Sequence, residues 1–220
     1  MTGQRARVKF CGMMRVEDAL AAARLGVDAI GIVLTRRSRR FAGIERAREI
    51  CRSLPPFVTT VALFMDDEPA FVAEAVTSVS PHMLQFHGSE MAADCVRYGR
   101  PYLKSVAMGA GAEATGPVGT DWHAVVAAHP HAAGFVFDGH GAGEAGGSGR
   151  RFDWSLAPTC VGQPVILAGG LDDANVGAAI RQARPFAVDV ASGIESAPGI
   201  KDEDRMRRFM AAVNEANEER

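Results

Sequence analysis

Eight short apolar runs separated by amphipathic stretches place the strongest constraint on how this chain of 220 residues folds. The runs lie at 7–11, 29–34, 59–64, 83–86, 102–107, 134–138, 164–168 and 187–191, with successive starts 19 to 32 residues apart. Each interval holds one strand, a loop and a returning helix. Stretches such as VEDALAAARLG, IERAREICRSL, EPAFVAEAVTSV, ANVGAAIRQA and KDEDRMRRFMAAVNEANEE carry apolar residues at i, i+3, i+4 and i+7, the spacing of one buried helical face. Eight such repeats in a chain of this length predict a single (β/α)8 TIM barrel, an α/β fold, over residues 1–220. An open doubly wound sheet is the structural rival. It usually begins with a G-x-G-x-x-G turn, and none follows the first run here.

Composition narrows the function classes. A formal net charge of −2 and 23% charged residues exclude a strongly basic nucleic-acid module and an acidic disordered tail. No stretch reaches 18 apolar residues and MTGQRARVKFCG lacks a signal-length apolar run, so the expectation is a soluble, cytoplasmic protein without a membrane partner. Cys11, Cys51, Cys95 and Cys160 are scattered, with no C-x-x-C pair and no short Cys/His cluster, which suggests neither a zinc site nor a disulfide framework. The 24 basic residues are 21 arginines and only three lysines (Lys9, Lys104 and Lys201), and two of those lysines fall inside predicted strands.

Side chains of a barrel strand alternate between the interior and the helix layer. In the first run Val8 and Phe10 then face the helices and leave Lys9 and Cys11 inside, with Cys11 at the mouth before Gly12. A buried cation on the same face favours thiolate, the form in which a cysteine acts as base or nucleophile. The other three cysteines read as small buried apolar residues. Asp138 ends the sixth run, GFVFD, and so occupies the mouth as well, where an acid opposite Cys11 suits proton removal by one group and delivery by the other. Asp189 lies between Val188 and Val190 and therefore points inward. Because the first and eighth strands are neighbours in a closed barrel, Lys9 and Asp189 are expected to form a structural ion pair.

The last two strands run into Gly169 and Gly170 and into Ser192 and Gly193, the loops at which barrels commonly hold phosphate. Four arginines (Arg36, Arg37, Arg39 and Arg40) follow the second run; most belong to a solvated face, and one reaching over the mouth forks onto a substrate carboxylate. With no interleaved aromatics, the cluster fits nucleic acid poorly. His87 shares a face with Gln85 and is either a substrate contact or a satisfied polar cap. Two stretches lack a period, 108–119 and 139–149, and six of the eleven residues in the second are glycine, which reads as a mobile lid over the mouth.

Taken together and in order, KFCG, RRSRRF, QFHG, GGSGRRFDW, ILAGGL and VDVASGIESAPGIKD closely resemble phosphoribosylanthranilate isomerase of tryptophan biosynthesis, from about Val8 to about Phe209. The resemblance implies an Amadori rearrangement of N-(5′-phosphoribosyl)anthranilate to 1-(2-carboxyphenylamino)-1-deoxyribulose 5-phosphate, without metal or organic cofactor. It places the general base on Cys11, the general acid on Asp138 and the anthranilate carboxylate on Arg40. It places the phosphate around Gly169, Gly170, Ser192 and Gly193. A monomer or weak homodimer is expected, with this phosphosugar as the partner and no nucleic acid. The chain departs from the family pattern at Met13 and Met14, at Phe41, at Ala191 and at Gly139 and His140, which bear on the anthranilate pocket and the lid.

Two rivals remain at this level. A phosphosugar lyase would use Lys9 or Lys104 as a Schiff-base lysine in the barrel. A non-catalytic phosphometabolite-binding barrel would keep the phosphate loops but has no need of both Cys11 and Asp138.

Overall fold

The structure, a computed structural model, describes residues 5–109, 121–140, 152–158 and 161–220. Its elements run β1 (Arg7–Cys11), α1 (Val16–Arg24), β2 (Ala29–Val33), α2 (Ile44–Ser53), β3 (Thr59–Phe64), α3 (Pro69–Val79), β4 (Met83–Phe86), α4 (Ala92–Val96), β5 (Tyr102–Ala107), α5 (Trp122–Ala128) and β6 (Gly134–Asp138). A 3₁₀ turn (Trp154–Leu156) leads to β7 (Val165–Leu167), α6 (Val176–Ala183) and β8 (Ala187–Val190). A second 3₁₀ turn (Ser192–Ile194), a ribbon of β9 (Glu195–Ala197) and β10 (Ile200–Lys201), and α7 (Glu203–Glu218) complete the chain. β1 pairs in parallel with both β2 and β8, so the eight strands close into the expected barrel in sequence order.

The predicted strand ends hold for β1, β3, β4, β5 and β6, while β2, β7 and β8 are one or two residues shorter. Pro164 has no N–H to give the ladder and serves only through its carbonyl, which accepts from Phe135. Leu34, Ala168 and Ala191 continue the apolar runs past the last paired residue. The short helices α4 and α5 were not singled out by apolar spacing.

Both faces of these strands are buried, as parallel barrels require. Val8, Phe10, Ile30, Ile32, Phe135, Phe137, Val188 and Val190 belong to the layer between sheet and helices. Cys11, Val33, Val61, Leu63, Leu103, Val136, Ile166 and Ala187 fill the barrel interior. Phe10 is fully buried and meets Phe209 of α7 edge-on, with ring centroids 5.8 Å apart. Burying one such side chain contributes about 1.5–3 kcal/mol. α7 starts where the Asp202 side chain accepts the Arg205 N–H, with Glu203 and Asp204 in its first turn facing the positive end of the helix dipole.

One expectation is corrected. Lys104 sits on the outward face of β5, in register with Phe86 and Phe135, and its ammonium donates to the Gly88 carbonyl (2.6 Å) and to Glu90 (2.9 Å). Leu103 and Ser105 point inward in its place. The run YLKSVA is buried on both faces, so its alternation offers no contrast by which to orient the lysine. Among the described residues no helix is long and apolar enough to cross a membrane. Of the predicted lid, Gly139 and His140 are described and 141–149 lie outside the described residues, as do Cys160 and most of the aperiodic stretch 108–119.

Candidate active site

At the C-terminal ends of the strands a cavity is lined by Cys11, Arg40, Gln85, His87, Asp138, Gly169, Gly170, Asp189 and Ser192. One wall comes from β1, β2 and β8. Cys11 is nearly buried, and Lys9 beneath it donates to Asp189 at 2.9 Å, the pair the closing register brings level. Burial alone would drive the Lys9 ammonium toward neutrality, and Asp189 with Cys11 more than offset this and raise it. Burial pushes the Cys11 thiol up, and Lys9 opposes that push without cancelling it. Lys9 thus favours the thiolate as expected, and removal from water outweighs it. Gly31 stands level with Cys11 in β2, where a Cβ would come within 2.8 Å of Sγ and 3.1 Å of the Lys9 Nζ. Only glycine leaves room there for both groups.

The opposite wall comes from β4 and β6. Asp138 ends β6 as expected, and two residues on the buried His140 places Nδ1 3.3 Å from its Oδ2. Burial pushes the Asp138 carboxyl up, but His140 and then His87 outweigh it and hold it below the ordinary carboxylate range. His87, past the end of β4, stacks on His140 with ring centroids 4.1 Å apart and 29° between planes. Among the described residues neither His87 ring nitrogen, nor His140 Nδ1, has a hydrogen-bond partner, and all three are shielded from solvent, so His87 is no satisfied cap. Burial, reinforced by His140, lowers its pKa to about 3.

Arg36, Arg37 and Arg39 are exposed and Arg40 is buried, the division expected for that cluster. Arg40 lines the cavity with Nε and Nη2 forked onto Glu195 at 2.7 and 2.8 Å. Burial raises the Glu195 carboxyl, and Arg40 with Lys201 more than reverses this. Lys201 donates to Glu195 (2.8 Å), to the Ala191 carbonyl (3.0 Å) and to the Cys11 carbonyl (2.6 Å). Of the predicted phosphate residues, Gly169, Gly170 and Ser192 face the cavity. Gly193 seats the loop after β8 against the loop after β7, since a Cβ there would fall 2.0 Å from the Leu171 carbonyl oxygen.

Sequence reasoning missed Gly31, Glu195, Lys201 and the role of His140. Glu195 and Lys201 lie within a quoted motif, but nothing in their spacing shows that they meet Arg40 and Cys11. One ligand atom from each of His87, Asp138 and His140 lies within 4.8 Å of the others, a candidate cation cluster. The stacking argues for another use: a metal is bound in the plane of each imidazole, and rings lying face to face do not aim their nitrogens at one point. Neither lysine proposed for a Schiff base is unpartnered, Lys9 being held by Asp189 and Lys104 by Glu90.

The family model described as N-(5′-phosphoribosyl)anthranilate (PRA) isomerase matches residues 8–212. An N-(5′-phosphoribosyl)anthranilate isomerase of Pseudomonas aeruginosa is 49% identical over 207 residues, covering 94% of each chain. The phosphoribosyl anthranilate isomerase of Thermotoga maritima superposes with a TM-score of 0.82 at 36% identity, covering 96% of this chain and 99% of that one. A solved phosphoribosyl anthranilate isomerase in complex with reduced 1-(o-carboxyphenylamino)-1-deoxyribulose 5-phosphate has a TM-score of 0.79 at 33% identity, with coverage of 96% and 99%.

Proposed function

The chain belongs to the N-(5′-phosphoribosyl)anthranilate isomerase family and is an isomerase of tryptophan biosynthesis, and from that premise we propose that Cys11 is its general base and Asp138 its general acid. The observation that carries this division is the placement of the two groups at the ends of β1 and β6, on opposite walls of one cavity.

In this reading the loops holding Gly169, Gly170 and Ser192 take the phosphate of N-(5′-phosphoribosyl)anthranilate. Arg40, fixed by its fork on Glu195, takes the anthranilate carboxylate at the other end. Holding both ends sets the ribose between the two walls. Asp138 protonates the ring oxygen as its bond to C1′ breaks, and the nitrogen lone pair completes a Schiff base. Cys11, as thiolate, removes the C2′ proton, and Lys9 stabilises that anion when it forms. The enolamine then tautomerises to the ketone, 1-(2-carboxyphenylamino)-1-deoxyribulose 5-phosphate. Each transfer needs a group of one protonation state within reach of the atom it serves, and two separately placed groups provide both without a cofactor.

The test follows loss of phosphoribosylanthranilate fluorescence with purified wild type, Cys11→Ser and Asp138→Asn. Wild type is expected to turn over substrate and both variants to be severely impaired. Full activity in Cys11→Ser would show that the base is another residue.

A further inference from the structure

His140 is not explained by the reading above. It is 2% exposed and laid against His87, with Nδ1 3.3 Å from Asp138 Oδ2 and in no aligned hydrogen bond among the described residues. The groups around it are few. From the end of β4 comes His87, whose low pKa keeps it a neutral ring at physiological pH. From β5 comes Lys104, already bound to Glu90 and Gly88, and from the loop after β3 comes Asp66, which accepts from Ser89. From β1 comes Lys9, bound to Asp189, and from the end of α5 His129, bonded to Tyr102. Among the described residues, Asp138 is the carboxylate within ion-pair distance of His140. A ring face thus lies on one side of His140 and a carboxylate on the other.

A lone aspartate is a poor acid near neutrality: with an ordinary pKa of about 4, roughly one molecule in a thousand carries the proton at pH 7. Asp138 lies below even that range. We propose that His140 is a positioning residue that supplies Asp138 with the proton it delivers, so that the two act as one acid. This rests on Asp138 being the general acid. The step starts from the form in which the pair holds one proton, on the imidazole. The Nδ1 proton passes to Asp138, giving carboxylic acid and neutral imidazole. The acid O–H bond breaks as the ring oxygen takes the proton and its bond to C1′ opens, which leaves carboxylate and neutral imidazole. The imidazole then regains one proton from solvent.

The test measures single-turnover rates and KM against pH for wild type, His140→Asn, His140→Phe and Asp138→Asn. Phenylalanine keeps a ring against His87 and asparagine keeps a donor, but neither carries a transferable proton. Both are expected to lower the rate at neutral pH about tenfold or more, part of the roughly 10²–10⁴-fold worth of an acid group, with KM changed less than about twofold. In wild type the rate falls as pH rises through the titration of the pair. In both variants that fall is expected to move at least about one pH unit lower, because Asp138 then holds its proton alone. A wild-type rate and an unmoved alkaline limb in the His140 variants, with Asp138→Asn inactive, would overturn the role of His140 and leave the acid in place. A slower rate with an unmoved limb would make His140 merely structural and overturn it equally. Activity in Asp138→Asn would overturn both. Should the His140 variants fail to fold, imidazole ¹⁵N shifts of wild type decide: a neutral His140 beside an ionised Asp138 at pH 7 refutes the shared proton.

Discussion

The two walls of the mouth solve the same problem with opposite results. Each holds one buried acid beside one nitrogen-bearing partner: Cys11 over Lys9, and Asp138 beside His140. On the Cys11 wall the partner's charge is already committed, since Lys9 donates to Asp189, and burial prevails to raise the thiol. On the Asp138 wall the partner stands 3.3 Å from the acid with no other carboxylate within ion-pair distance among the described residues, and with His87 it prevails over burial to lower the carboxyl. The two groups are therefore shifted in opposite directions, the thiol up and the carboxyl down. The lesson is that proximity of a cation does not set an ionisation; what else that cation is bound to decides it.

Disabling each wall in turn gives the largest effects. Cys11→Ser and Asp138→Asn are each expected to lower kcat by about 10²–10⁴-fold, read by the fluorescence assay, and a variant with wild-type kcat would remove its wall from the chemistry. Next in size is the ion pair under the thiol. Lys9→Met strands Asp189 as a buried charge without its partner and is expected to cost about 3–5 kcal/mol in denaturant unfolding, while raising the Cys11 thiol further. Stability unchanged in Lys9→Met would show that Asp189 is already neutral.

A smaller effect belongs to the other wall. His87 titrates near 3 in the folded protein and near 6.5 when unfolded, so the unfolded chain binds more protons between those values. The stability this contributes is present in full above about pH 6.5 and is lost as pH falls toward 3. His87→Phe is expected to flatten that slope in pH-dependent unfolding, and a profile as steep as wild type would refute the neutral His87. The smallest expected effect is none at all. Because the His87 and His140 rings stack instead of converging, dialysis against a chelator is expected to leave kcat unchanged, and its loss, restored by a divalent cation, would turn this wall into a metal site.

Much of the scaffold was legible in the sequence because two kinds of signal were strong. Period-3.6 helices and apolar strands located the repeats, and closure of the barrel brought Lys9 level with Asp189, so that their pairing followed from topology alone. Cys11 and Asp138 were legible for the same reason, each being the last residue of an inward-facing strand position. What escaped needed three dimensions. Lys104 lies in a strand buried on both faces, where alternation carries no information. Arg40 differs from its three neighbours only by meeting Glu195, 155 residues away in sequence. The protonation of Cys11 depends on desolvation, which a list of neighbours does not contain. His140 lies past the strand end, where no period fixes a direction.

Lys201 finally ties the first strand to the last ribbon, its one ammonium holding the carbonyls of Cys11 and Ala191 and the Glu195 carboxylate. A growing chain thus presents Cys11 almost at once, but the clasp that holds its carbonyl comes from a residue 190 positions later. A nascent polypeptide with all eight strands complete still lacks this clasp until synthesis has passed residue 201. The first strand to be made is thus the last to be fastened.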